Sequence, residues 1–186
     1  KVDGQVVTPE DKALLIGKSV EVIRTSQLHH AELETPIADV TMIYRASPKT
    51  GLTTHITIDW LVDVVVQIAY LAMWPLSDAI FDRGAGPGAA VNYTLTDNDN
   101  SYKGNQQTDR LWVWDADGTL GAVLYIPNVA ASLNNWQDSP ATWAFIEDRS
   151  GTNRWNKIYF TRAYAGAVFS ADTRWTSEAQ YRVGRF

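Results

Sequence analysis

From residue 91 to the end, the chain reads as short apolar runs cut by turn-forming clusters, and that texture constrains the fold more than any other feature in it. The runs are VNYTLT, RLWVWD, AVLYIP, TWAFIED, KIYFTRAY and QYRVGRF, and the breaks include DNDN, DADG and DRSG. Asp, Asn and Gly clusters between β-branched and aromatic runs signal hairpins. Val91, Tyr93 and Leu95 alternate with polar neighbours, and Leu111 and Val113 alternate with Trp112 and Trp114. A period of two gives each strand one core-facing and one outward-facing set of side chains. The second half therefore predicts an antiparallel meander or sandwich. A fainter echo relates residues 112–119 to 143–152, which two hairpins built alike explain.

The first half reads differently. Residues 8–24 carry helix-start chemistry, with Thr8 as N-cap, Pro9 at the first helical position and Asp11 as a box-like partner. Ala13, Ile16, Val20 and Ile23 follow at three- and four-residue steps, which predicts an amphipathic helix. Residues 37–46 predict a strand. Residues 55–74 are the most apolar tract, and their spacing fits a helical face while their β-branched density fits two buried strands. The stretch from Trp60 to Trp74 contains Asp63 and Gln67 and falls short of the roughly 20 residues that span a bilayer. The expected fold class is mainly β (α+β): an antiparallel β-sandwich with an N-terminal amphipathic helix and one further helix or strand pair. One domain is expected over 1–186, with a helix-containing half (1–90) and a β-meander half (91–186).

Several chemistries are excluded or disfavoured. With no cysteine, the chain offers no disulfide, thiolate nucleophile or Cys-zinc site. A net charge of -5 without a basic run argues against nucleic acid, which needs a clustered cationic footprint. His29 and His30 near Glu32 and Glu34 make a poor chelate, because adjacent residues diverge on a strand or helix. Asp115, Asp117 and Gly118 resemble the start of a calcium loop but lack its alternating ligands and closing Glu, so they read as a turn. There is no Gly-x-Ser-x-Gly elbow, and residues 82–90, DRGAGPGAA, lack the Gly-Lys-Ser/Thr ending of a phosphate loop. The expectations are no metal, no cofactor and no catalytic residue, hence not an enzyme.

Trp 8 and Tyr 8 against Phe 5 is an unusual balance, because indole and phenol rings suit surfaces that are half apolar and half wet. Trp112, Trp114, Tyr125, Trp136, Trp143, Trp155, Tyr159 and Trp175 outnumber what strand alternation would send inward, so an exposed aromatic cluster is expected.

One tract resembles the actinoporins, cysteine-free pore-forming toxins. Thr119-Leu120-Gly121 leads to Ile126-Pro127, and Asn135-Trp136 follows at the family's distance. The helix predicted at 8–24 is collinear with the family's membrane-inserting helix, and Tyr44-Arg45-Ala46-Ser47 is similar to one of its strand ends. Pro75, Ala79-Ile80, Arg83 and Gly86-Pro87 through Val91 to Tyr93 is similar to another stretch, and QYRVGRF to its last strand. The chain departs from the pattern at Ser132 and Leu133, where the family has tyrosines, at Tyr125 in place of a serine, and over 48–74 and 96–110. The resemblance implies a β-sandwich flanked by helices that binds membrane lipid and inserts its helix.

The function expected from these readings is membrane lipid binding with pore formation or membrane perturbation. Lipid- or glycan-binding candidates are Ser47, Trp112, Trp114, Tyr125, Pro127, Trp136 and Tyr159, and the inserting helix would use Ala13, Ile16, Val20 and Ile23. The expected partner is a zwitterionic lipid headgroup or a glycan, with a homo-oligomer as the active state. Lys1 in place of a starting methionine fits a mature or trimmed secreted protein acting at a target membrane. The alternatives are a carbohydrate-binding β-sandwich, in which Trp112 or Trp136 stacks on a sugar, and an assembly subunit of a virion or filament.

Overall fold

In a computed structural model, the residues described are 1–7, 17–86, 93–95, 102–106, 108–127, 144–149 and 155–185. They form β1 (Val20–Leu28), β2 (Ala38–Ser47), β3 (Gly51–Trp60), β4 (Val64–Ser77), β5 (Arg83–Ala85) and β6 (Tyr93–Thr94). These are followed by β7 (Tyr102–Gln106), β8 (Arg110–Trp114), β9 (Leu120–Tyr125), β10 (Ala144–Arg149), β11 (Trp155–Phe169) and β12 (Arg174–Arg185). All their pairings are antiparallel. The larger sheet runs β1-β2-β3-β12-β9-β8-β5-β6, and the smaller runs β4-β11-β10-β7. The last strand, β12, is hydrogen-bonded between β3 and β9, so the larger sheet interleaves the two halves of the sequence.

Turn chemistry sets the hairpins. Between β2 and β3, the Thr50 amide donates to Ser47 Oγ at 3.1 Å and the two hydroxyls lie 2.7 Å apart. Gly51 then takes φ +70°, and a Cβ there would lie 2.4 Å from the Tyr181 carbonyl oxygen, so only glycine fits. Between β8 and β9, Asp115 accepts from the Thr119 amide at 2.7 Å, the Thr119 hydroxyl at 2.8 Å and the Leu120 amide at 3.0 Å. Its oxygens are committed to the hairpin, the Asx-type arrangement expected of Asp-x-Asp-Gly.

The main core lies between the sheets. Leu111, Val113, Leu124, Ile126, Ile146, Ile158 and Phe160 are fully buried there. A second cluster of Ile37, Ala38, Trp60, Ala167 and Phe169 closes the far end, with Trp60 stacked on Phe169 at 5.0 Å and 6°. Asn156 is fully buried in β11 and donates to the carbonyls of Phe81 (3.1 Å) and Leu95 (3.0 Å), tying the smaller sheet to the segments flanking β5 and β6. The smaller sheet does not reach β1, where Val20, Val22, Ile23 and Leu28 remain exposed.

The expected N-terminal helix is corrected. Residues 20–24 belong to β1, paired with β2 along its whole length, while residues 8–16, including Ala13 and Ile16, lie outside the described residues. Val20 and Ile23 therefore occupy opposite faces of a strand and form no stripe. The β-branched run Val20, Val22, Ile23, Thr25 satisfies its backbone by laddering with β2, and that partner is invisible to a helical periodicity. Residues 55–74 resolve as strands, the end of β3 and most of β4, joined by a turn in which Asp63 Oδ1 accepts from the Ala171 amide at 2.8 Å. Among the described residues, the strands predicted over 37–46 and in the second half are observed.

Candidate functional site

Register decides which side chains share the outer face of the larger sheet. In β8, Leu111 and Val113 point into the core, which sends Arg110, Trp112 and Trp114 outward. In β9, Ala122 and Leu124 are buried, leaving Val123 and Tyr125 outward. In β12, Trp175, Ser177 and Ala179 are buried, leaving Glu178, Gln180 and Arg182 outward. Cross-strand pairing aligns Arg110, Tyr125 and Gln180 in one row and Trp112, Val123 and Arg182 in the next. Arg110, Val123, Tyr125, Gln180 and Arg182 line a groove of about 320 Å³.

The groove is preorganised. Arg110 is clamped in a bidentate pair by its neighbour Asp109, Nε to Oδ1 at 2.8 Å and Nη2 to Oδ2 at 2.9 Å. Its guanidinium carbon lies 4.9 Å from the centre of the Tyr125 ring. The Arg110 guanidinium, through its hydrogen bonds, holds the Asp109 carboxyl below the usual aspartate range. The backbone beneath is fixed as well, since buried Thr108 donates its hydroxyl to the Arg110 carbonyl and the Ile126 amide donates to the Asp109 carbonyl at 2.8 Å. A planar, charge-compensated guanidinium lying on a phenol ring offers both an apolar surface and a rim of donors.

The other expected site residues are scattered. Ser47 ends β2, lining a separate depression of about 390 Å³ with Glu21, Arg45 and Thr50. Pro127 follows β9 half-buried. Tyr159 is buried in the smaller sheet, with Lys157 Nζ 4.4 Å from its ring centre and Tyr70 edge-on at 5.5 Å. Trp136 and Trp143 lie outside the described residues, as does the side chain of Trp155. The exposed aromatic cluster is corrected: no described tryptophan is exposed, Trp60 and Trp175 are buried, and Trp74, Trp112 and Trp114 are half-buried. Of the described rings named from the sequence, Trp175 joins the main core and Tyr159 is buried in the smaller sheet. Half-buried Trp112 has Val123 of β9 and Ala85 of β5 as its cross-strand partners. His30 serves its own loop, accepting from the Glu32 amide at 3.2 Å. No group of three or more metal-ligating side chains forms among the described residues.

Arg110, Gln180 and Arg182 were not singled out from the sequence. Arg110 was within reach, two residues before Trp112 on the same period. The β12 pair was not, because nothing local announces that the last strand pairs with β9.

Comparison with protein-family models gives no match, and comparison with curated proteins gives none. Solved structures of sugar epimerases are similar. An aldose 1-epimerase-type protein of Escherichia coli K12 aligns over 94% of this chain and 68% of its own, at 7% identity and TM-score 0.45. Galactose 1-epimerase of Lactobacillus acidophilus NCFM aligns over 92% and 65%, at 6% identity and TM-score 0.48. An aldose epimerase homologue of C. elegans aligns over 93% and 67%, at 9% identity and TM-score 0.42. This chain spans about two thirds of the length of each. None of the three is a pore-forming toxin, and the actinoporin resemblance, the lipid-binding and pore-forming function and the expectation of a non-enzyme are withdrawn together. The segment meant to insert is also a laddered strand where it is described.

Proposed function

We propose that the chain is a carbohydrate-binding β-sandwich whose saccharide site is the β8-β9-β12 outer face. The observation that carries this reading is the Asp109-clamped Arg110 guanidinium on Tyr125, in a groove that also holds Gln180 and Arg182. A pyranose ring presents apolar C–H faces and a rim of hydroxyls. The flanks of Tyr125 and Trp112 suit the first, and the fixed amide and guanidinium donors suit the second. At about 320 Å³ the groove falls at the small end of the range for small-molecule sites, about 300–1,000 Å³.

The test is a glycan array of neutral and acidic saccharides, followed by calorimetry on the best hit. Tyr125→Ala is expected to weaken binding at least about tenfold, the loss of one well-packed ring contact, with the melting temperature nearly unchanged. Silence across the array at millimolar saccharide overturns the reading, as does a Tyr125→Ala variant that binds like the parent.

A further inference from the structure

We infer that the groove is built to read a saccharide carrying an anionic group, a carboxylate or a sulfate, with Arg182 as the residue that recognises it. This rests on the saccharide reading above and goes beyond it by naming the ligand's charge.

The two arginines of the groove are in different electrostatic states. Arg110 is compensated by Asp109 through two hydrogen bonds. Arg182 meets no carboxylate among the described residues. Its Nε donates to the Thr50 carbonyl at 3.2 Å, which spends one donor on a neutral acceptor and leaves the paired terminal nitrogens unspent. A guanidinium anchored through one nitrogen presents its remaining donors in a fixed plane, the geometry that engages a carboxylate or sulfate in a fork.

That anchoring depends on a specific backbone device. Thr50 reaches Arg182 because the next residue is Gly51, at φ +70° and pressed against β12. A Cβ on Gly51 would lie 3.0 Å from Arg182 Cγ and 2.4 Å from the Tyr181 carbonyl oxygen. Any side chain there would push the turn off the strand and release the arginine. The acidic neighbours fix the direction of the ligand. Gln180 Nε2 lies 3.5 Å from Glu178 Oε1, so that carboxylate borders the Gln180 end, away from Arg182, while Asp109 is engaged with Arg110 at the opposite wall. The anionic substituent therefore docks at Arg182 with the sugar ring extending towards Tyr125.

The experiment compares acidic saccharides with their neutral parents: a uronate against its methyl ester, and a sulfated sugar against the unsulfated one. At low salt the acidic members are expected to bind about tenfold tighter. Raising sodium chloride from 0.05 to 0.5 M is expected to erase most of that margin and leave the neutral members unaffected. Arg182→Ala is expected to bring the acidic ligand down to the affinity of its neutral parent, and Arg182→Lys to restore only part of the margin, since a point charge replaces the fork. Neutral and acidic members binding equally, or Arg182→Ala keeping the preference, overturns the inference while leaving the saccharide reading intact. If no member binds, that earlier reading falls and takes this one with it.

Discussion

The middle of the larger sheet and its β1-β2 edge behave differently. In the middle, at β12-β9-β8, the inner face is sealed by the smaller sheet, and Leu111, Val113 and Leu124 are inaccessible to solvent. At the β1-β2 end, Val22 is 51% exposed and Ile23 53%. The difference teaches where a binding surface is able to form. A strand held rigidly from behind fixes its outward side chains in register, as with Arg110 over Tyr125. A strand open on both faces keeps apolar residues such as Val22 and Ile23 wet.

Substitutions sharpen or break that contrast. The largest expected effect is in the sealed region, where Leu124→Ala costs about 3 kcal/mol in urea unfolding, while Val22→Ala costs under about 0.5 kcal/mol. Similar costs at both sites would dissolve the distinction. Next comes Gly51→Ala, expected to cost about 2 kcal/mol because it forces a side chain into a left-handed backbone pressed against β12. That would mark the β2–β3 turn as a strained point of the larger sheet, and a neutral result would remove the basis for a positioned Arg182. For Trp112→Ala, half-buried beside the groove, saccharide affinity is expected to drop about fivefold, against no change for Ile43→Ala on the same face of β2.

Acid sensitivity is a smaller effect. Asp109 beside Arg110 and Asp59 beside Arg174 both titrate below the ordinary aspartate value of 3.8. A carboxylate whose folded pKa is depressed stabilises the folded state above its unfolded pKa, and that contribution fades as pH falls through the folded value. Melting temperature and saccharide affinity are therefore expected to stay level from about pH 8 to about pH 5 as far as these groups are concerned, with their loss beginning below 3.8. A loss of affinity with its midpoint at or above 3.8 would show that Asp109 is not clamped. The smallest effect is expected at Asp59→Asn, which removes a solvent-exposed pair with Arg174 and should barely move the urea midpoint.

What the sequence by itself determined is local. Period-two alternation in RLWVWD sent Trp112 and Trp114 outward and Leu111 and Val113 inward, and Asp115 to Gly118 specified a hairpin, because each depends on neighbours within a few residues. Tertiary structure decided the rest. Residues 20–24 read as part of a helical stripe, and only the presence of β2 alongside makes them a strand. The surplus of rings looked like a surface, but packing buries Trp175 and Tyr159 and half-buries Trp112, Trp114 and Tyr125. The groove itself joins Arg110 and Tyr125 to Gln180 and Arg182, from strands about 60 residues apart. No local signal encodes that meeting, because it is fixed by which strand edges remain free to pair once the interior has closed.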